Sequence, residues 1–199
     1  MTIDPGYFSV IGGELCLDFA NTANWESQTE PERYLKTYAD LILWAQHLHV
    51  LTKADSERLL RKSKLQVKRT SDAVELARRY QDMIYHIFSN HIDHKTPQAA
   101  DLEMLNQALS KALAYQQIAS KRGEFQWVWD DPEIRLDRML WPVLRSTADL
   151  LTSERLHRIK KCGGCGWLFV DRNNGTRRWC TMNVCGNRAK ARRHYGRVR

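Results

Sequence analysis

Residues 160–197 read KKCGGCGWLFVDRNNGTRRWCTMNVCGNRAKARRHYGR, and how they fold decides the architecture of the chain. The segment holds four of the five cysteines, at positions 162, 165, 180 and 185, spaced as C-x2-C, fourteen residues, then C-x4-C. Three chemistries use cysteines in such pairs. Disulfides belong to oxidising compartments, and nothing else in the sequence points to one. A thioredoxin-like pair follows a strand and opens a helix, whereas here Gly163 and Gly164 separate the first two cysteines and Gly166 follows them, which suits a tight turn. A metal clamp remains. Glycines inside C-x2-C let backbone N–H groups point at a thiolate, and four thiolates close a tetrahedral site with no position open to substrate or water. Zinc is the first choice of metal for Cys162, Cys165, Cys180 and Cys185, one ion per chain in a structural role, with iron as the other ion such ligands suit.

The residues between the cysteines suggest how they converge. WLFVD and RRWC read as strands flanking RNNGT, whose Asn174 and Gly175 form a hairpin-turn signal. TMNVCGNRAKARRHY reads as a helix, with Thr181 or Asn183 as candidate caps. Knuckle, hairpin and helix in that order bring the four thiolates together. A module of about 40 residues has too little core to fold unaided, and metal binding on the order of 10 to 16 kcal/mol supplies most of its stability.

Charge divides at the same place. Residues 158–199 contain 12 Lys or Arg and one acid, Asp171, for a balance of +11, while residues 1–157 carry −3. Positive charge this concentrated is the footprint of a polyanion partner, most often nucleic acid. At 100° per residue, Lys190, Arg193 and Arg197 share one side of the last helix, with Asn187 and His194 beside them. Together with Arg177 and Arg178 on the hairpin they are the candidate phosphate contacts, and Asn187 the candidate reader of an adenine edge. Arg188 and Arg192 fall within about 60° of Cys185. They are read as a shell around the metal that offsets the net −2 of a zinc ion held by four thiolates.

The remainder is mainly helical. Tyr34, Leu35, Tyr38, Leu41, Ile42, Ala45 and Leu48 recur at helical spacing, as do Val74, Ala77, Tyr80, Ile84, Ile87 and Phe88. Leu102, Leu105, Leu109 and Leu113 form a third stripe, introduced by Thr96 as cap and Pro97 at the first position. A fourth helix is expected from about Pro132 to Ile159, bent or interrupted at Pro142. EFQWVWD alternates with the period of a strand, Trp127 and Trp129 being core or interface residues. GGELCLDFANT reads as a strand, although a short helix fits nearly as well. Asp18, Asn21 and Thr22 in that stretch are candidates to line an effector pocket, against the alternative that they cap and bond to backbone. Cys16 reads as a small buried hydrophobe. His86, His91 and His94 show no carboxylate pattern for a second metal.

No apolar run approaches the roughly 18 residues of a membrane span. The N-terminal MTIDPGYFSVIGG lacks the basic start and apolar stretch of a secretory signal, so a cytoplasmic location is expected. There is no phosphate-cradling Gly-rich loop, no nucleophile elbow and no metal motif with an open position, so no catalysis is expected.

These residues carry a resemblance. The cysteine segment is similar to the CGNR zinc finger, named for the run that here is Cys185, Gly186, Asn187 and Arg188, and GGELCLDFANT resembles the start of the ABATE domain that precedes such fingers in bacterial proteins described as stress-induced transcription regulators. The resemblance implies a mainly α architecture: an N-terminal helical domain with a few short strands over 1–157, and a finger of knuckle, β-hairpin and helix over 158–199. It also implies duplex DNA as partner, with the helical domain sensing a small molecule or forming a homodimer. Two other readings use the same basic face: an RNA-binding accessory protein, and a protein-interaction module in which zinc only shapes a surface.

Overall fold

A computed structural model of the chain describes residues 10–26, 31–172 and 175–197. The fold is mainly α, as expected, and its axis is a 26-residue helix. In chain order come α1 (Leu15–Ala20), β1 (Ala23–Asn24), β2 (Glu32–Arg33), α2 (Tyr38–His47), α3 (Lys53–Leu65) and that long helix, α4 (Val67–Ile92). Then follow α5 (Ala99–Leu113), the strands β3 (Gln116–Lys121) and β4 (Glu124–Trp129), and α6 (Trp141–Leu151). The C-terminal part contains β5 (Ile159–Lys161), β6 (Leu168–Val170) and α7 (Asn187–Arg197). Ala73, Ala77, Tyr80, Ile84, Ile87 and Phe88 make the buried stripe of α4, against which α1, α2, α3, α5 and the strands β5 and β6 all pack.

Local chemistry explains several boundaries. Thr37 caps α2 with a full capping box, its hydroxyl accepting from the Asp40 N–H while the Asp40 carboxylate accepts from the Thr37 N–H. Helix α5 starts at Ala99, two residues beyond the expected first position at Pro97. The expected helix from 132 to 159 is shorter and interrupted as Pro142 anticipates: a 3-10 turn over Arg138–Leu140 leads into α6, and Pro142 lies in its first turn, where a missing N–H costs nothing. GGELCLDFANT takes the helical alternative, because Leu17, Phe19 and Ala20 are all fully buried and a strand would have sent alternate residues outward. The strand expected at EFQWVWD is β4. It pairs antiparallel with β3 in a hairpin whose Ile118, Phe125 and Trp127 stay exposed while Trp129 packs beside Trp141.

The hairpin of the cysteine segment differs from expectation. β6 pairs with β5, antiparallel across the C-x2-C turn, and not with RRWC, which forms no strand. Asn174 of the expected turn lies outside the described residues. The knuckle itself is the turn: Cys162 N–H donates to the Trp167 carbonyl at 2.8 Å and Gly166 N–H to the Cys162 carbonyl at 3.0 Å, closing β5 onto β6.

The compositional step near residue 157 is therefore not where the core ends. Strand β6 sends alternate side chains to opposite faces. Leu168 and Val170, with Ile159 of β5, join the large core of the helical domain, whereas Phe169 joins a second cluster with Cys162, Cys180 and Cys185.

Candidate metal centre

Cys162 ends the β5 side of the knuckle, Cys165 follows two glycines later, Cys180 closes the irregular RRWC stretch, and Cys185 sits in a π turn over Met182–Gly186 capped by Thr181. The Thr181 hydroxyl accepts from the Val184 N–H at 3.3 Å, as its sequence position suggests for a cap. These elements bring all four Sγ atoms within 4.8 Å of one another, with Cys165–Cys180 at 3.6 Å and Cys180–Cys185 at 3.5 Å. Zinc–sulfur bonds of about 2.3 Å arranged tetrahedrally require sulfurs roughly 3.8 Å apart, so the donor set fits the ion. Gly164 N–H points at Cys162 Sγ at 3.4 Å, the knuckle hydrogen bond that glycine spacing anticipates.

The electrostatics agree. Hydrogen bonds from the Cys165 and Cys180 thiols draw Cys162 far below the ordinary thiol range, while the same hydrogen bonds with Cys162, together with burial, raise Cys165 and push Cys180 up to about 12. A divalent cation at the centre would offset the cost of holding several thiolates together. The four cysteines hold one structural zinc. Cys16 lies apart, fully buried, its thiol pushed up to about 12 by burial, which makes it inert packing.

Arg177 has turned inward. Its guanidinium donates to the carbonyls of Trp179 at 3.1 Å and of Cys180, reaches Ile11 O at 3.5 Å, and stacks 4.2 Å over the Phe169 ring. Expected as a surface phosphate contact, it braces the chain between the cysteine pairs. Sequence reasoning counted it as charge because nothing in RRWC reveals direction. The lone acid of the segment, Asp171, is buried and ion-paired with Lys160 at 2.8 Å.

On α7, Asn187, Lys190 and Arg193 are exposed. The Arg197 side chain is not among those described. Asn187 Nδ2–H donates to the Asn183 carbonyl at 3.2 Å, closing the turn before the helix. Arg188, read as part of a shell around the metal, reaches across to Glu26 of the N-terminal domain at 3.3 Å. Arg192 is exposed and lines a cleft with Arg178, Arg193 and the knuckle glycines.

Asp18, Asn21 and Thr22 are all buried and all engaged. The Asp18 carboxylate accepts from the N–H groups of Ile11 (2.8 Å) and Gly12 (2.7 Å), yet burial, with a smaller push from Glu14, holds its pKa up at about 6. Asn21 donates from Nδ2 to the Leu168 carbonyl and accepts at Oδ1 from the Leu168 N–H, both at 2.8 Å. An amide side chain offers the same donor and acceptor as a peptide group, so Asn21 continues the ladder of β6 on its open edge, where Gly12 O also takes the Val170 N–H at 2.8 Å. Thr22 Oγ1 donates to Phe19 O at 2.7 Å and accepts from Gln81. Asp18 borders an open cleft of about 660 Å³. The alternative of capping and bonding to backbone is what the three side chains adopt: Asn21 docks the cysteine hairpin onto the helices along a seam, Asp18 fixes Gly12 beside it, and Thr22 bonds within the helical domain. Further seam contacts come from residues not singled out in the sequence: Trp167 Nε1 to Ala23 O at 2.9 Å and Tyr85 Oη to Gly166 O at 3.2 Å, with Tyr85 stacked on Trp25 at 3.7 Å.

Fold and site together define a helical domain fused through a shared core to a four-cysteine zinc finger. The chain belongs to the ABATE family, described as "Putative stress-induced transcription regulator", whose model matches residues 13–154. The CGNR zinc finger model matches residues 158–198. Among curated proteins no match to the chain was found. No helix among the described residues is long and apolar enough to cross a membrane.

Proposed function

We propose that this protein is a cytoplasmic, non-enzymatic transcription regulator whose finger docks on duplex DNA through α7. The observation that carries this reading is the state of the cations there. Arg178, Lys190, Arg192 and Arg193 are exposed and have no ion-pair partner among the described residues, and the one acid of the finger is withdrawn inside. Zinc anchors the helix at its start, so the charges are presented on a fixed element. Four to six phosphate contacts correspond to a slope of about −4 to −5 in log K against log salt. The exposed apolar side chains of the β3–β4 hairpin support dimerisation through the N-terminal domain, which would add a second finger and lengthen the site read.

The test is binding of the zinc-loaded protein to duplex DNA and to RNA across a salt series, beside Lys190→Glu/Arg193→Glu. Duplex binding with a steep salt slope that flattens in the variant is the expected result. Preference for RNA at matched salt moves the reading to RNA. Unchanged binding in the variant removes α7 as the contact face.

A further inference from the structure

A cleft beside the zinc knuckle is lined by four arginines. It measures about 340 Å³; Arg178 enters from one side and Arg188, Arg192 and Arg193 from α7 on the other. Its floor is the Gly163–Gly164 backbone and the Trp179 ring. Glycine is needed there, since a Cβ on Gly163 would stand 3.2 Å from the Trp179 ring and fill the floor. Four arginines lining one cleft concentrate positive charge there, a cost that an anion between them reverses. Among the described residues the one acid ion-paired with any of them is Glu26, outside the cleft lining and 3.3 Å from Arg188.

We infer that this cleft is a phosphate seat: Arg178, Arg192 and Arg193 close on a phosphate group, and Arg188 exchanges Glu26 for it. Guanidinium forks match phosphate oxygens in pairs. The two glycines allow close approach of a sugar-phosphate chain, and the Trp179 ring beside them gives the sugar an apolar surface. This assigns Arg188 and Arg192 to ligand and not to metal, and makes Glu26 an opposing charge supplied by the N-terminal domain. The phosphate source rests on the DNA reading above; a soluble polyphosphate has the same chemistry.

Three substitutions on the full-length, zinc-loaded protein separate the cases: Arg178→Gln/Arg192→Gln in the cleft, Lys190→Gln outside it, and Glu26→Gln at the Arg188 ion pair. Each is titrated with a labelled DNA duplex across a salt series and with pyrophosphate, and zinc content of one per chain confirms an intact finger. The cleft variant is expected to weaken duplex binding about tenfold or more at ~100 mM salt and to lower the salt slope by about two. Pyrophosphate is expected to displace duplex from the wild type and to bind the cleft variant at least tenfold more weakly, and Glu26→Gln to bind both ligands several-fold more tightly. Unchanged binding of both ligands by the cleft variant overturns the seat. Duplex binding that Lys190→Gln weakens while Arg178→Gln/Arg192→Gln leaves it unchanged overturns the seat for DNA and leaves the DNA reading standing. If the wild type ignores duplex but holds pyrophosphate through Arg178 and Arg192, the seat stands for a soluble phosphate ligand and the DNA reading falls.

Discussion

The two halves of the cysteine segment, 158–171 and 175–197, are stabilised by different physics although one ion joins them. The first half is an extension of the helical domain: Ile159, Leu168 and Val170 are buried in its core, and β6 is bonded along one edge by β5 and along the other by Asn21 and Gly12. The second half has almost no apolar interior. Beyond the cysteines it contributes partly buried Trp179 to the small cluster and exposes Met182 and Val184. Its order comes from zinc, the Thr181 cap and Arg177. A finger of this kind is a fixed hairpin and a metal-dependent arm, and the two should fail separately.

Removing zinc is the largest perturbation. Chelation, or Cys180→Ser, withdraws a contribution on the order of 10 kcal/mol. The expected outcome is loss of hydrogen-exchange protection across α7 and the π turn, while β5, β6 and the α4 core stay protected. Simultaneous loss of both halves would break the distinction. Leu168→Ala attacks the fixed half instead and should cost about 3–4 kcal/mol of global stability in a denaturant titration, because it opens a cavity in the shared core. Asn21→Ala leaves the buried Leu168 N–H and carbonyl without a partner, for about 3 kcal/mol; zinc stoichiometry at saturating metal should remain one. Gly166 has φ +73°, and a Cβ there would lie 3.1 Å from that of Trp25, so Gly166→Ala should cost about 2 kcal/mol in the same titration.

The smallest effect is in pH. The folded pKa of Asp18, about 6, lies above its ordinary 3.8, so the folded state binds the extra proton between those values and stability falls as pH rises through that window. The contribution is on the order of 2 kcal/mol. Asp18→Asn retains an acceptor for Ile11 and Gly12 and removes the proton, so its melting temperature, compared with wild type between pH 4 and 7, should lack that decline.

How much of this was legible in the sequence depends on how each signal arises. The cysteine spacing is a local signal that metal chemistry constrains tightly, and the four ligands, the Thr181 cap and the last helix follow from it. Helix α4 was legible through its stripe. Helix α3 was not, since only Ser56 and Leu59 of its 13 residues are buried and no apolar stripe exists to see. The partner of β6 was misread because Asn174–Gly175 is a strong turn signal in isolation, whereas the closure formed is the shorter one through the knuckle. The direction of a charged side chain is a tertiary property. Arg177 and Arg178 are neighbours of identical chemistry, yet one braces the interior and the other faces solvent. Asn21 likewise carries no sign in sequence that its amide will stand in for a strand.

That borrowed strand position has a thermodynamic corollary. Cys162 and Cys165 ride on a hairpin whose place is set by the Asn21 seam, while Cys180 and Cys185 ride on the arm, so a high-affinity chelate requires the seam to be closed. Linkage makes the relation reciprocal: whatever free energy zinc lends to the closed seam, the closed seam lends to zinc affinity. The zinc dissociation constant is thus a remote gauge of how well the helical domain is folded, and loosening α1 should be measurable as metal released to a competing chelator.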